Sequence, residues 1–260
     1  MTTSVDRHNG SSVLMQTGRD CAVFFGSAPQ ALCRVDEHGW LGLSGEASAD
    51  LNMVFVSRSC SLDVLDSYVD EVESRRIDAI LLVDEGSPHL VDRAVARGLT
   101  SAGQVPVMVW SGASIPETPA GSRVVRRAAE SDITEVNAAM AEAFSLDEAA
   151  VQRSMPPSLV SAGVDIWIAE DRGAIAGSGT FIRSGDHVGI YCMATRPQFQ
   201  RQGIGRAVLD TAMAYYLDHG VTTFALEATA AGMHLYEQVG FKTVAQPSVF
   251  VIGSSTQFST

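Results

Sequence analysis

The chain has 260 residues, 46% of them hydrophobic and 18% charged, which is enough apolar material to pack one large domain or two of ordinary size and excludes disorder as the default. Its formal net charge of −12 is the wrong sign for a protein that neutralises phosphate backbones, so nucleic acid is not an expected partner. No apolar run reaches the roughly 20 residues that span a bilayer, and the start, MTTSVDRHNGSS, lacks the basic and apolar regions of a secretory signal. Cys21, Cys33, Cys60 and Cys192 are scattered without disulfide or zinc spacing. The expectation is a cytoplasmic protein with buried thiols, no metal and no membrane partner.

In chain order, LNMVFV (51–56) reads as a strand, LDVLDSYVDEVESRRI as a helix, AILLVDEG (79–86) as a strand, SPHLVDRAVARGL as a helix and VPVMVW (105–110) as a strand. SGASIPETPAGS (111–122) has no periodicity and reads as a linker, dividing a domain at 1–115 from one at 116–260. Beyond it, VVRRA (124–128) is a strand, 132–144 a helix capped by Ser131 or Asp132, and 147–155 a second helix stopped by Pro156 and Pro157. Three strands follow, DIWIAED, AIAGSGTFIRSG and HVGIYCMAT, with turns at Asp171–Gly173 and Ser184–Asp186. A helix at 203–219, a strand TFALEAT, a helix GMHLYEQVG and terminal strands KTVAQ and SVFVIG complete a β-α-α-β-β-β-α-β-α-β-β order. That order implies an α/β class of fold, a mixed sheet covered by helices.

The turn QFQRQGIG before the helix at 203–219 is polar and punctuated by glycine. A helix start leaves its first N–H groups unpaired and carries partial positive charge, so such a turn suits an anion that approaches closely. Between His187 and Leu209 there are Arg196, Arg201 and Arg206 and no acidic residue, one basic window in an acidic chain. G-x-G-x-x-G and the P-loop pattern are both absent, and the single lysine, Lys242, lies outside any glycine loop.

Gln200-Arg201-Gln202-Gly203-Ile204-Gly205, preceded by YCMATRPQF and followed by HLYEQVGF, resembles the (Q/R)-x-x-G-x-(G/A) signature of the GNAT family of acyl-CoA-dependent N-acetyltransferases. The resemblance covers 122–260 and implies the GNAT acyl-CoA N-acyltransferase fold and acetyl-CoA as cofactor. It implies that backbone N–H groups from Gln202 to Arg206, including those of Gly203, Ile204 and Gly205, hold the pyrophosphate. Gln200 belongs to the same motif, and Arg201 or Arg206 would pair with the cofactor's charge. Met193, Ala194 and Thr195 would bond the pantetheine arm, and a backbone N–H near Met193 or Ala194 would stabilise the oxyanion. Tyr236 would act on the departing thiolate, and Thr229 stands where many relatives carry an asparagine that contacts the cofactor. The glutamate that some members carry on the fourth strand falls on Gly189, so Glu227, or His187 through a water, is left as candidate base. Phe144 and Trp167 are candidates to line the acceptor site.

The first half repeats the element order. Aligning Arg97-Gly98-Leu99 on Val239-Gly240-Phe241 puts Ala94 where Tyr236 stands, and VFVSRSCSLDVLDSY has no glycine where the motif belongs. The reading is two tandem GNAT-like domains, the first degenerate, without coenzyme A, and packed so as to shape the acceptor pocket or a homodimer interface. The implied activity is acetyl transfer from acetyl-CoA to a primary amine, on a small molecule or on a protein or peptide, by direct attack in a ternary complex. A non-catalytic acyl-CoA-binding regulatory module is the alternative.

Overall fold

The computed structural model describes residues 10–26, 28–112, 114 and 124–253. The first half contains helix α1 (Gly10–Phe25), strands β1 (Leu32–Val35), β2 (Gly39–Leu43) and β3 (Asn52–Val56), helix α2 (Leu62–Arg75), strand β4 (Ala79–Val83), helix α3 (Pro88–Ala96) and strands β5 (Thr100–Gln104) and β6 (Val107–Ser111). The second half begins with β7 (Val124–Arg127), α4 (Ile133–Phe144), α5 (Glu148–Ser154) and α6 (Ser158–Ser161). It continues with β8 (Asp165–Asp171), β9 (Ala174–Ser184), β10 (His187–Thr195), α7 (Ile204–Asp218), β11 (Thr223–Glu227), α8 (Ala230–Val239), β12 (Lys242–Ala245) and β13 (Ser248–Ile252).

These elements form two mixed sheets, one in the order β1-β2-β3-β4-β13-β5 and one in the order β12-β6-β11-β10-β9-β8-β7. The last strand of the chain thus completes the first sheet, and β6, which precedes the expected linker, lies in the second. The compact units are accordingly discontinuous: one is Met1–Met108, Glu227–Thr229 and Thr243–Thr260, the other Val109–Leu226 and Ala230–Lys242. Most of the expected linker lies outside the described residues.

In the first unit, Ser61 caps α2 by accepting from Val64 N at 3.3 Å, and Leu65, Tyr68, Val69 and Val72 form its buried stripe. That stripe packs on Val54, Val56, Leu81, Val83, Phe250 and Ile252 of the sheet. On α1, Gly18 has no room for a Cβ, which would lie 2.3 Å from the Trp40 ring, and the Trp40 indole N–H donates to Leu14 O at 2.7 Å. β3 and β4 pair in parallel as far as Val56 and Val83, the last residue of each strand. In the second unit, α7 buries Ile204, Val208, Leu209, Ala212, Met213 and Tyr216 at helical spacing, and packs against β8, β9 and β10.

Candidate functional site

The site is built on β9, β10 and the turn into α7. β10 pairs antiparallel with β9 from His187 opposite Ser184 to Tyr191 opposite Thr180, and resumes with Ala194 opposite Ser178. Cys192 and Met193 therefore oppose a single residue, Gly179, in a β-bulge, with Cys192 at φ 49°. Glycines in β9 make the bulge possible. A Cβ at Gly177 would stand 2.7 Å from both Ala194 O and Ile204 Cγ2, and one at Gly179 would stand 2.3 Å from Met193 Sδ.

On its other side, β10 pairs in parallel with β11 only from His187 to Gly189, opposite Thr223 to Ala225. From Ile190 to Thr195 the two strands diverge, leaving main-chain groups of β10 unclaimed by β11. Buried main-chain groups require partners, so this edge suits an extended ligand that adds like a strand. Met193, Ala194 and Thr195 all lie on it.

The turn that follows closes the wedge. Arg196 is tied back by its N–H to Ala176 O at 2.9 Å and by Nε to Ile175 O at 2.9 Å, and its guanidinium pairs with Glu142 on α4. Gln200 donates to Thr195 O and Gln202 to Gln198 O, which fixes the loop's curvature. Arg201 sits at φ 59° and Gly203 at φ 79°, the latter as N-cap of α7 with no side-chain cap. The left-handed conformation accounts for glycine at 203. Gly205 differs, since a Cβ there would make only ordinary contacts, 3.5 Å to Leu235 Cδ2 and 3.7 Å to Thr195 Oγ1. The first N–H groups of α7, those of Ile204, Gly205 and Arg206, thus lie at a helix start without a side-chain cap, an anion-binding geometry.

Of the three arginines in the basic window, Arg196 is occupied by Glu142, and Arg206 by Asp210, whose carboxylate it meets at 2.6 Å one helical turn away. Arg201 is exposed and has no carboxylate partner among the described residues, so the charge available to a bound anion is its charge.

Tyr236 lies on α8, 6% exposed, with its ring edge-on to Phe241 at 5.8 Å between centroids. Gly232 lies under that ring, and a Cβ there would be 2.8 Å from Cε2. Burial pushes the phenol well above the usual tyrosine range, so it is protonated at neutral pH and available as a proton donor. Glu227, at the end of β11, is half-buried, and Thr17 Oγ1 donates to its Oε1 at 3.0 Å. Poor solvation raises this carboxyl to about 7, with Asp20's charge adding to the rise and the Thr17 hydrogen bond opposing it. Thr229 is half-buried immediately before α8.

The two candidate acceptor residues lie on different elements, α4 and β8. Phe144 ends α4, half-buried. Trp167 packs at 5.5 Å on Tyr215, with Arg127 stacked over Tyr215 at 4.2 Å and bonded to Asp165 at 3.2 Å. Tyr215 is eleven residues along α7 from its start, about 16 Å at 1.5 Å per residue. Trp167 therefore belongs to the end of α7 opposite the uncapped turn. Gly177, Gly179 and the pairing of Arg196 with Glu142 were not singled out in the sequence; the alternation of glycines in AGSG was the available signal.

Residues 162–243 match the family model for the acetyltransferase (GNAT) domain. Among solved structures, the chain is similar to a GCN5-related N-acetyltransferase from Kribbella flavida, with TM-score 0.65, 15% identity, and coverage of 94% of this chain and 96% of that one. A GCN5-related N-acetyltransferase from Sphaerobacter thermophilus follows, with TM-score 0.61, 15% identity, and coverage of 86% and 79%. A tandem GNAT protein from the clavulanic acid biosynthesis pathway, described without acetyl-CoA, matches with TM-score 0.57, 14% identity, and coverage of 92% and 88%. No curated protein matches the chain. The fold is that of GNAT acetyltransferases, the match to the GNAT domain model falls in the second half, and the two sheets are consistent with a tandem arrangement.

Proposed function

We infer, from a GNAT domain whose uncapped helix start adjoins an open strand edge, that the protein transfers an acetyl group from acetyl-CoA to a primary amine. The observation that carries this reading is the juxtaposition of the part of β10 beyond Gly189, which no longer pairs with β11, with the start of α7 at Gly203, which has no side-chain cap. The group fits these residues: the N–H groups of Ile204 to Arg206 and the guanidinium of Arg201 would hold the pyrophosphate, and the main chain of Met193 to Thr195 would hold the pantetheine arm. Acetyl-CoA, when bound, supplies an acyl carbon activated as a thioester.

The chain's own residues divide the remaining work. A backbone N–H near Met193 or Ala194 would donate to the carbonyl oxygen as charge develops on it, a stabilisation effective because the donor is fixed in advance. With acetyl-CoA bound, attack of the amine nitrogen on the acyl carbon would form the amide and release the thiolate. Tyr236 delivers its phenolic proton to the departing sulfur, and the proton shed by the amine goes to a base. Glu227, with a carboxyl near 7, has a suitable affinity for that proton, and His187 acting through a water is the other candidate. The acceptor class includes small amines and protein or peptide amines. A cytoplasmic location is part of the proposal, supported by four cysteines that are all free thiols.

Calorimetric titration with acetyl-CoA tests the cofactor. Saturable binding is expected, and Gly205→Glu, which adds a carboxylate at a position where a Cβ meets only ordinary contacts, is expected to fold and abolish it. Tyr236→Phe then separates enzyme from binding module. Retained binding with turnover reduced by roughly 10²-fold or more supports catalysis, whereas unchanged acetyl transfer would remove Tyr236 from the mechanism. If neither the wild type nor the variant turns over any amine while both bind, the chain is a regulatory acyl-CoA module.

A further inference from the structure

The turn between β4 and α3, Asp84-Glu85-Gly86-Ser87, forms one wall of a cavity of about 270 Å³ wholly within the first unit. Its other lining residues are Pro88, Val91, Asp92, Gln104, Gln246 and Ser248. Two features of this turn are unexplained by the fold. Asp84 is 2% exposed; its Oδ2 accepts from Arg58 N at 3.2 Å and Arg58 Nε at 3.1 Å, but its Oδ1 has no hydrogen-bond partner among the described residues. Ser87, also 2% exposed, is the N-cap residue of α3, yet its hydroxyl makes no capping bond and has no partner among the described residues. Buried polar atoms are nearly always satisfied, and a serine at this position ordinarily bonds the helix's own N–H groups. Here two acceptors of one turn, both at residues lining one cavity, are left unpaired.

The chemistry of the lining chooses the ligand. Asp84, Glu85 and Asp92 are acidic and no lining residue is basic, which opposes an anion despite the nearby helix start. Only Asp84 of the three acids is buried, and among the described residues no group of His, Cys, Asp and Glu suits a metal ion. An ammonium brings donors that match the carboxylate oxygen and the hydroxyl together. Pro88 and Val91 offer apolar contact for a short alkyl chain, and the cavity lies just under the usual 300 Å³ lower bound for ligand sites. The rim is held by Gln246 N donating to Glu85 and by Gln104 donating to Gln246 O. The cavity also sits at the carboxyl end of a strand that is parallel to β3 and antiparallel to β13, a place where α/β sheets accept ligands.

We propose that this cavity binds a small alkylammonium ion, its head on Asp84 and Ser87 and its chain along Pro88 and Val91. The site is separate from the acyl-transfer reading and stands or falls without it. Titration of the full chain with butylammonium chloride, beside butanol and sodium chloride, tests it. Saturable binding of butylammonium alone is expected, lost in Asp84→Asn and weakened about tenfold in Ser87→Ala, which removes one hydrogen bond to a charged group. Should Asp84→Asn fail to fold because Arg58 loses its partner, Ser87→Ala decides, since that hydroxyl holds no other residue. Absence of saturable binding to the folded wild type overturns the proposal, as does equal binding of butanol or wild-type affinity in folded Ser87→Ala.

Discussion

Single residues carry the proposed acyl-transfer site, and each has a distinct physical requirement. Gly177 is needed for close approach, because a Cβ would collide with backbone Ala194 O and with Ile204 of α7. Gly177→Ala is expected to cost about 1–3 kcal/mol in urea unfolding and to weaken acetyl-CoA binding, because the bulge must shift to admit the methyl group. Gly205→Ala at ordinary contact distance is expected to leave stability nearly unchanged. Glu227 gives a pH signature. Its folded value of about 7 lies above the ordinary 4.5, so the stability linked to its protonated form is complete below about 4.5 and is lost as pH rises through 7. In Glu227→Gln, urea midpoints measured between those limits should lose that decline, and if Glu227 is the base the rising limb of activity near pH 7 should vanish with it. The sequence exposed Gly203 through its motif, but not the pairing of Arg206 with Asp210, which sits one helical turn further along the same helix. An i,i+4 pair of opposite charges was visible in R206-A-V-L-D210, and it leaves Arg201 as the available cation. Arg201→Ala is accordingly expected to raise the dissociation constant for acetyl-CoA with little effect on stability, while Arg206→Ala changes binding less, a comparison that parallel titrations make.

At the scale of elements, what the sequence displayed followed from periodicity. β3, α2, β4 and α3 have strong strand or helix patterns and were read in order, as were β7 through β13. α1, β1, β2, β5 and the short α6 were not. α1 carries no acidic residue in its first turn and no basic residue in its last, and its buried face includes Gly10, Thr17, Gly18 and Asp20, residues that mask an apolar stripe. β5, Thr100–Gln104, is mostly exposed and contains Gly103 at φ 89°, so neither burial nor β-propensity marks it. The wedge between β10 and β11 was legible only as a resemblance. Its origin is a difference between sheets: β3 and β4 stay paired to their ends, with the Asp84 carboxylate then accepting from Arg58, whereas β10 and β11 part after three residue pairs. A strand edge closed in this way offers no main-chain groups to a pantetheine arm.

For the whole molecule, sheet membership does not follow chain order. β13 pairs with β4 through Ser248–Ile252 and with β5 on its other side, burying Val249, Phe250, Val251 and Ile252. Deleting residues from Ser248 onward is expected to remove an interior strand of the first sheet and abolish its cooperative unfolding, even though every residue of the first half remains. Hydrogen exchange of β4 and β5 amides measures this directly, with protection expected to fall in both strands. Sequence pattern identifies a strand and its faces, but the partner across a ladder depends on contacts between distant segments, which local periodicity does not encode.

The placement of β13 also bears on synthesis. A ribosome releases the chain from its amino end, and amino-terminal domains ordinarily fold as they emerge. Here the first sheet lacks a strand between β4 and β5 until Ser248–Ile252, far beyond both in the chain, has been made. The nascent first half therefore waits, with two strand edges open, for a segment made after every strand of the second sheet, so the sheet begun first is the one completed last.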